Sequence, residues 1–256
     1  MILLAGFSFT IYAKGSDEVL FYEDFEDYPV GLSVYNRFTQ VFFRDGIAGL
    51  LVTKAYRFTY FNANYGNFEQ YNFTNMAVKA KIENYNNAPV RNLKGSIGWG
   101  FHNNYISSYD YECVWFIYQQ GSPLYPWNGF WVWSRNSTGD FSTKKIEGYD
   151  VFDWHVYDIT LTEDGYDFYI DGEHVAQLTE GVTQHGMGLE IWNDNAVWYP
   201  PGRNLSKYTI FTKLSTLFSY IRPFNLPSRF TWGLIPVFHK VRASKGLYID
   251  YVKITE

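Results

Sequence analysis

Three carboxylates stand beside indole-rich runs in this chain: Glu112, Glu190 and Asp194. Acids and amides next to flat rings suit sugar recognition. The ring stacks on the apolar face of a pyranose, and the polar groups fix its hydroxyls. If two such carboxylates lie about 5 Å apart, one attacks the glycosidic bond while the other moves the proton. Glu112 and Glu190, from different strands, are the candidate catalytic pair. A lyase arrangement would instead set a base beside a Tyr or His. The run Gly188–Trp198 holds two Trp, two Asn and two acids, which suits a sugar site built on Trp192, Asp194 and Trp198. It equally suits a strand ending in an Asx-type turn at Asn193, Asp194 and Asn195.

Strand alternation sorts the remaining aromatic candidates. Trp131 and Trp133 share one face, with Phe130 and Val132 on the other. Trp99, Phe101 and Asn103 share a face and His102 points opposite. Trp115 lies in Glu112–Gln119, and Tyr125 and Trp127 lie in a Pro-bounded loop suited to rim a cleft. The candidate sugar contacts are therefore Trp99, Asn103, Trp115, Trp131, Trp133, Trp192, Asp194 and Trp198. For any one of them the competing reading is core packing. The chain has 23 Tyr, 22 Phe and 9 Trp, 21% of all residues, and aromatics favour strands.

Other chemistries find no support. The single cysteine, Cys113, allows no internal disulfide and sits in an apolar run, as a packed thiol does. The five histidines are scattered without zinc-ligand spacing, and phosphate loops and nucleophile elbows are missing. A net charge of −5 argues against nucleic acid.

The elements that must position these residues read as short strands. They are Gly49–Lys54, Met76–Ile82, Ser96–Phe101, Glu112–Gln119, Gly129–Trp133, Val156–Leu161, Asp167–Ile170, Gly188–Trp192 and Leu247–Ile254, preceded by a strand from Val19 into an acidic turn. Gly, Asn, Asp and Pro clusters separate them, which points to an all-β sandwich or barrel. The turn signals at Thr162–Gly165 and Asp171-Gly172 make 156–178 two adjacent hairpins. The 256 residues suit one domain over 16–256. It is preceded by an apolar segment, 1–15, that reads as a signal remnant or an extra strand. With Asn-X-Ser/Thr sequons at Asn72, Asn136 and Asn204, that segment points to an extracellular or cell-surface glycoprotein.

Between Asp194 and Asp250 no acidic residue occurs. Eight Lys and Arg give that span +8, leaving −13 for the rest of the chain. Ile210, Phe211, Leu214, Leu217, Phe218 and Ile221 recur at helical spacing before Pro223. Residues 199–246 therefore read as a basic, partly helical insertion before the last strand. It either covers a sheet or docks a membrane surface or protein partner.

The order of motifs resembles the concanavalin A-like lectin/glucanase superfamily, which includes family 16 glycoside hydrolases and laminin G-like modules. Phe21–Phe25 (FYEDF) is similar to its early strand. Trp154–Gly172 (WHVYDITLTEDGYDFYIDG) closely resembles its paired strands, and Leu247–Ile254 (LYIDYVKI) resembles its final strand. The resemblance implies a two-sheet antiparallel jelly roll whose concave sheet cradles a glycan. It also implies one structural calcium, with Asp24 and Asp250 at the matching positions. The family's catalytic motif, E-x-D-x-x-E or E-x-D-x-E, is not reproduced. On the corresponding strand only Glu112 is acidic, with Val114 and Phe116 or Ile117 where the other acids belong. A carbohydrate-binding role is thus expected ahead of a hydrolase or lyase with a relocated site. A structural surface or assembly subunit using the sandwich as scaffold is the third reading.

Overall fold

The computed structural model describes residues 18–27, 29, 33–37, 39–53, 62–66, 71–72, 74–103, 112–183, 186–199, 235–238 and 244–256. Two antiparallel sheets stack with an aromatic core between them, the jelly-roll sandwich expected from the sequence. One sheet has the strand order β13-β12-β11-β6-β17-β4-β3, made from Glu173–Leu178, Gly165–Ile170, His155–Thr162, Asn75–Asn84, Lys245–Thr255, Ile47–Val52 and Gln40–Arg44. Its eighth strand, β1 (Val19–Glu23), pairs with the second half of β17. The other has the order β10-β9-β8-β7-β14-β5-β2, made from Phe141–Ile146, Gly129–Arg135, Cys113–Gln120, Gly95–His102, Gly188–Asp194, Asn62–Gly66 and Ser33–Arg37. A separate hairpin joins β15 (Ala196–Tyr199) to β16 (Ile235–Phe238).

Alternation sets the faces. In β6 the side chains of Met76, Val78, Ala80 and Ile82 are buried inward, while Asn75, Ala77, Lys79 and Lys81 are only partly covered. Long aromatics from both sheets meet in the middle. Trp99 of β7 lies 4.6 Å between ring centres from Tyr157 of β11, and Phe116 of β8 meets Phe168 of β12 edge-on at 5.2 Å. The β11-β12-β13 hairpins form as expected. Asp171 and Gly172 take positive φ of 51° and 80°, the twist a two-residue hairpin loop needs. The Asp45-Gly46 turn does the same for β3 and β4, with φ of 53° and 70°.

Interior strands of the two sheets are also tied together. Asn193 on β14 donates its amide to the carbonyls of Leu50 (2.8 Å) and Lys245 (3.1 Å) in the opposite sheet. The Lys245 ammonium, fully buried, donates back to the carbonyls of Ser96 (3.0 Å) and Asp194 (2.5 Å). The apolar segment 1–15 and the helical pattern at 210–221 lie outside the described residues. Within 199–246, the described strands are the end of β15, β16 and the start of β17.

Truncating Trp99 to Ala removes the largest side chain of the inter-sheet layer. It is expected to lower the free energy of unfolding by about 3–5 kcal/mol in a denaturant titration. A loss below 1 kcal/mol would mean the core is not packed around this ring.

Candidate functional site: the outer face of the seven-stranded sheet

The strands at the centre of the seven-stranded sheet are buried on both faces. The inward set, Ile97, Trp99, Phe101, Val114, Phe116, Phe130, Val132, Leu189 and Ile191, belongs to the inter-sheet core. The opposite set faces outward in four rows across β9, β8, β7 and β14. These rows are Arg135–Cys113–His102–Gly188, Trp133–Trp115–Gly100–Glu190, Trp131–Ile117–Gly98–Trp192 and Gly129–Gln119–Ser96–Asp194. Most of the acids and indoles singled out in the sequence therefore do come together: Trp115, Trp131, Trp133, Glu190, Trp192 and Asp194 share this face, and Trp198 of β15 lies on it.

The face is filled by its own side chains. Trp115 and Trp192 pack at 4.6 Å, Trp198 meets Trp115 edge-on at 6.4 Å, and Trp127 meets Trp133 at 6.4 Å. A Cβ on Gly98 would fall 2.3 Å from the Trp192 ring, so it is the missing side chain at 98 that lets this indole lie across β7. Trp115, Trp133 and Trp192 are consequently buried; Trp131 and Trp198 stay half-buried. The polar floor is closed as tightly. The Ser96 hydroxyl donates to Asp194 Oδ1 (2.8 Å) and accepts from the indole N–H of Trp192 and of Trp198 (both 3.0 Å). One donor and two lone pairs are all a hydroxyl has, so Ser96 is saturated. Trp198 is further fixed through its backbone N–H to Gln119 Oε1 (2.7 Å) and by its carbonyl, which accepts from the Tyr125 hydroxyl (2.5 Å).

Several sequence candidates resolve differently. Trp99 is not a groove residue: its parity points it into the inter-sheet core. Glu112 has the parity of Val114 and Phe116 and is buried, not aimed at the outer face. Its carboxylate accepts from Asn103 Nδ2 (2.8 Å), Thr183 Oγ1 (2.7 Å) and Ser137 N (3.2 Å), while Asn103 Oδ1 accepts from its backbone N–H (3.1 Å). Glu112 and Asn103 thus clamp three loops together instead of forming an acid pair or a sugar contact. Asp194 takes the Asx-turn reading, accepting from Ala196 N at 2.9 Å. The outward positions of β8 are Cys113, Trp115, Ile117 and Gln119, with no carboxylate among them.

Glu190 keeps some access to solvent, and His102 Nδ1 lies 3.5 Å from its Oε2. This neighbour was not anticipated from sequence. That His102 shares a face with Glu190 follows from alternation, but the approach depends on the register of β7 against β14. Cys113 is the cross-strand partner of His102, yet burial pushes its thiol pKa well up, so the thiolate a nucleophile needs is disfavoured.

Each of the two acids matched to a calcium site has a protein partner in this structure. The Asp250 carboxylate is ion-paired with Lys79, and Asp24 Oδ1 accepts from Glu26 N at 3.4 Å. Among the described residues no group of three ligating side chains occurs. Of the sequons, Asn72 is exposed. Asn136 is engaged by its own turn, accepting from Thr138 Oγ1 (2.7 Å) and Asp140 N (2.9 Å). Asn204 lies outside the described residues.

No family model matches the sequence, and no curated protein matches it. Solved structures do. A prokaryotic β-1,3-1,4-glucanase (lichenase) derived from a mouse hindgut metagenome superposes with a TM-score of 0.56 at 12% identity, covering 92% of this chain and 98% of that one. The catalytic domain of an endo-1,3-β-glucanase (laminarinase) from Thermotoga petrophila gives 0.54 at 12%, covering 94% and 98%. A GlcNAcα1-4Gal-releasing endo-β-galactosidase from Clostridium perfringens gives 0.57 at 12%, covering 94% of this chain and 63% of that one. At such identities the likeness shows the fold alone: this chain has a two-sheet antiparallel jelly roll like that of these structures.

Two measurements probe this face. Ser96→Ala strands two indole N–H groups and takes one donor from Asp194 Oδ1, which keeps Ala196 N, and is expected to cost about 2–4 kcal/mol in denaturant unfolding; a neutral result would mean that water replaces the hydroxyl. Lys245 gives a pH signature. Burial pushes its pKa from 10.5 down to about 7, against the opposing pull of Asp194. Between those values the unfolded chain binds more protons than the folded one, so stability rises with pH across roughly 7 to 10. Wild type should gain stability over that window relative to Lys245→Met, read as the difference in Tm. Parallel curves would show that the amine titrates normally.

Proposed function

We propose that this chain is an extracellular glycan-binding β-sandwich that lacks double-displacement hydrolysis. The reading is carried by the outward row of β8, where Cys113, Trp115, Ile117 and Gln119 stand in an indole-rich face. Retaining hydrolysis needs two carboxylates about 5 Å apart. Glu112 is committed to Asn103, Thr183 and Ser137, and Asp194 is buried under Ser96. That leaves Glu190, beside His102, as the one solvent-accessible acid on this face among the described residues. Half-buried Trp131 and Trp198 supply stacking planes, and Glu190 and His102 supply hydroxyl partners at the other end. The fold likeness to glycan-active proteins supports a polysaccharide or glycan as ligand.

A second reading is favoured by one specific observation, the burial of Trp115, Trp133 and Trp192. A face closed by its own rings suits a scaffold in a surface assembly. The two readings separate on one experiment. The full chain is titrated with soluble β-1,3-1,4-glucan, β-1,3-glucan and galactan oligosaccharides, while reducing-sugar release is followed in parallel. Saturable binding weakened roughly tenfold by Trp131→Ala, with no sugar release, is the expected result. Release of reducing ends that Glu190→Gln abolishes would establish an enzyme. Absence of binding to every glycan would leave the scaffold.

A further inference from the structure

The eight-stranded sheet also has an outer face, and its strands leave a hollow there. Across β1, β17, β6 and β11 the register sets Tyr22, Lys253, Ala77 and Asp158 in one row. The next row holds Thr255, Asn75 and Thr160. Ala77 is the smallest of these, and the strands flanking it stand about 10 Å apart, two strand spacings. Its short side chain therefore forms a floor between taller walls. The resulting cavity is about 560 Å³, within the range of small-molecule sites.

The lining is mixed in a way that suits one ligand class. On one side Tyr22, 54% exposed, stacks against Tyr251 with ring centres 6.5 Å apart and planes at 30°. The base, Ala77 and Val156, is apolar. Around it stand Asp158, Lys253, Thr160 and Asn75, whose amide donates to Thr160 Oγ1 at 2.9 Å and so holds both groups in place. Asp158 and Lys253 balance each other in charge, which disfavours a strongly anionic or cationic ligand. An aromatic wall, a small apolar floor and alternating donors and acceptors complement a molecule with a C–H face and a hydroxyl rim. The Asp158 carboxyl pKa is raised, by desolvation first and then by the charge of Asp171, as befits a group partly withdrawn from water.

We propose that this hollow is a second saccharide site, taking one or two residues of a neutral glycan against Tyr22 and Tyr251 with Asp158, Asn75 and Lys253 on the hydroxyls. It lies on the opposite side of the sandwich from Trp131 and Glu190 and does not depend on that face binding sugar. The test uses the full chain and the same neutral oligosaccharides by calorimetry, on wild type, Ala77→Leu, Tyr22→Ala and Trp131→Ala. Ala77→Leu fills the floor from the solvent side, and Tyr22→Ala removes an exposed ring, so at least one variant remains folded, as checked by circular dichroism. The expected result is a binding event weakened at least roughly tenfold by both Ala77→Leu and Tyr22→Ala and retained in Trp131→Ala. Were that event lost only in Trp131→Ala, the hollow would be overturned and the other face upheld. The reverse pattern upholds the hollow alone. No binding of any neutral oligosaccharide by wild type overturns both.

Discussion

The constraint on which this molecule turns is that the central strands of its seven-stranded sheet are buried on both faces. In β7 and β8 every residue but the last is buried. Side chains there must be apolar or fully hydrogen-bonded, because a buried carboxylate without partners costs several kcal/mol. The outer face obeys this rule at Ser96 and Asp194 and departs from it at the buried Trp133 Nε1 and Gln119 Nε2, which have no hydrogen-bond partner among the described residues. Where it is apolar it carries Trp115, Ile117, Trp133 and Trp192; where it is polar it carries Ser96 and Asp194, which satisfy each other. A pair of free acids in the middle of that face would need water or substrate to solvate it, and neither has room beneath the indoles. The lack of a carboxylate on β8 and the aromatic filling are thus one fact seen twice.

The polar groups that remain act as fasteners. Ser96 binds two indoles and one carboxylate. Lys245 and Asn193 cross between the sheets to reach the carbonyls of Ser96, Asp194 and Leu50. Glu112 and Asn103 do the same service at the far end of β7, joining the start of β8 to the loops at Ser137 and Thr183. These networks cluster at strand ends, where backbone groups run out of ladder partners and side chains must replace them.

Much of the fold was legible because it rests on local signals. The paired turns at Thr162–Gly165 and Asp171-Gly172 defined β11 to β13, and alternation placed Trp131 with Trp133 and His102 opposite Trp99. Of the strands overlooked, β2, β3, β5, β15 and β16 are only four or five residues long, and β10 carries Ser142, Thr143, Lys144 and Lys145 in a row. The site was less legible for a different reason. Alternation tells which residues share a face but not which face is the core, so Trp99 and Trp131 looked alike. Glu112 misled because it stands one residue before its strand, where its parity turns it inward to Asn103, nine positions back in the chain. Whether a face is open depends on what lies over it. Here Trp198 and the Tyr125–Trp127 loop close it, and both come from segments outside the strands read from the sequence.

The two outer faces then divide the available surface between them. On the seven-stranded sheet large rings touch each other and leave little for a ligand to displace. On the eight-stranded sheet the rings are spaced and braced by charge. Lys81 lies 5.2 Å from the Trp154 ring and 5.6 Å from that of Tyr248, Lys79 pairs with Asp250, and Tyr22 leans on Tyr251. Cation–π and stacking contacts of this kind hold an exposed ring upright before anything binds, reducing the entropy lost on association. A surface of fixed aromatic planes with small residues between them is prepared for a flat, hydroxylated ligand. By that argument the seven-stranded sheet offers a ligand only the rim left by Trp131, Trp198, Glu190 and His102, and the eight-stranded sheet offers a second, separately built surface.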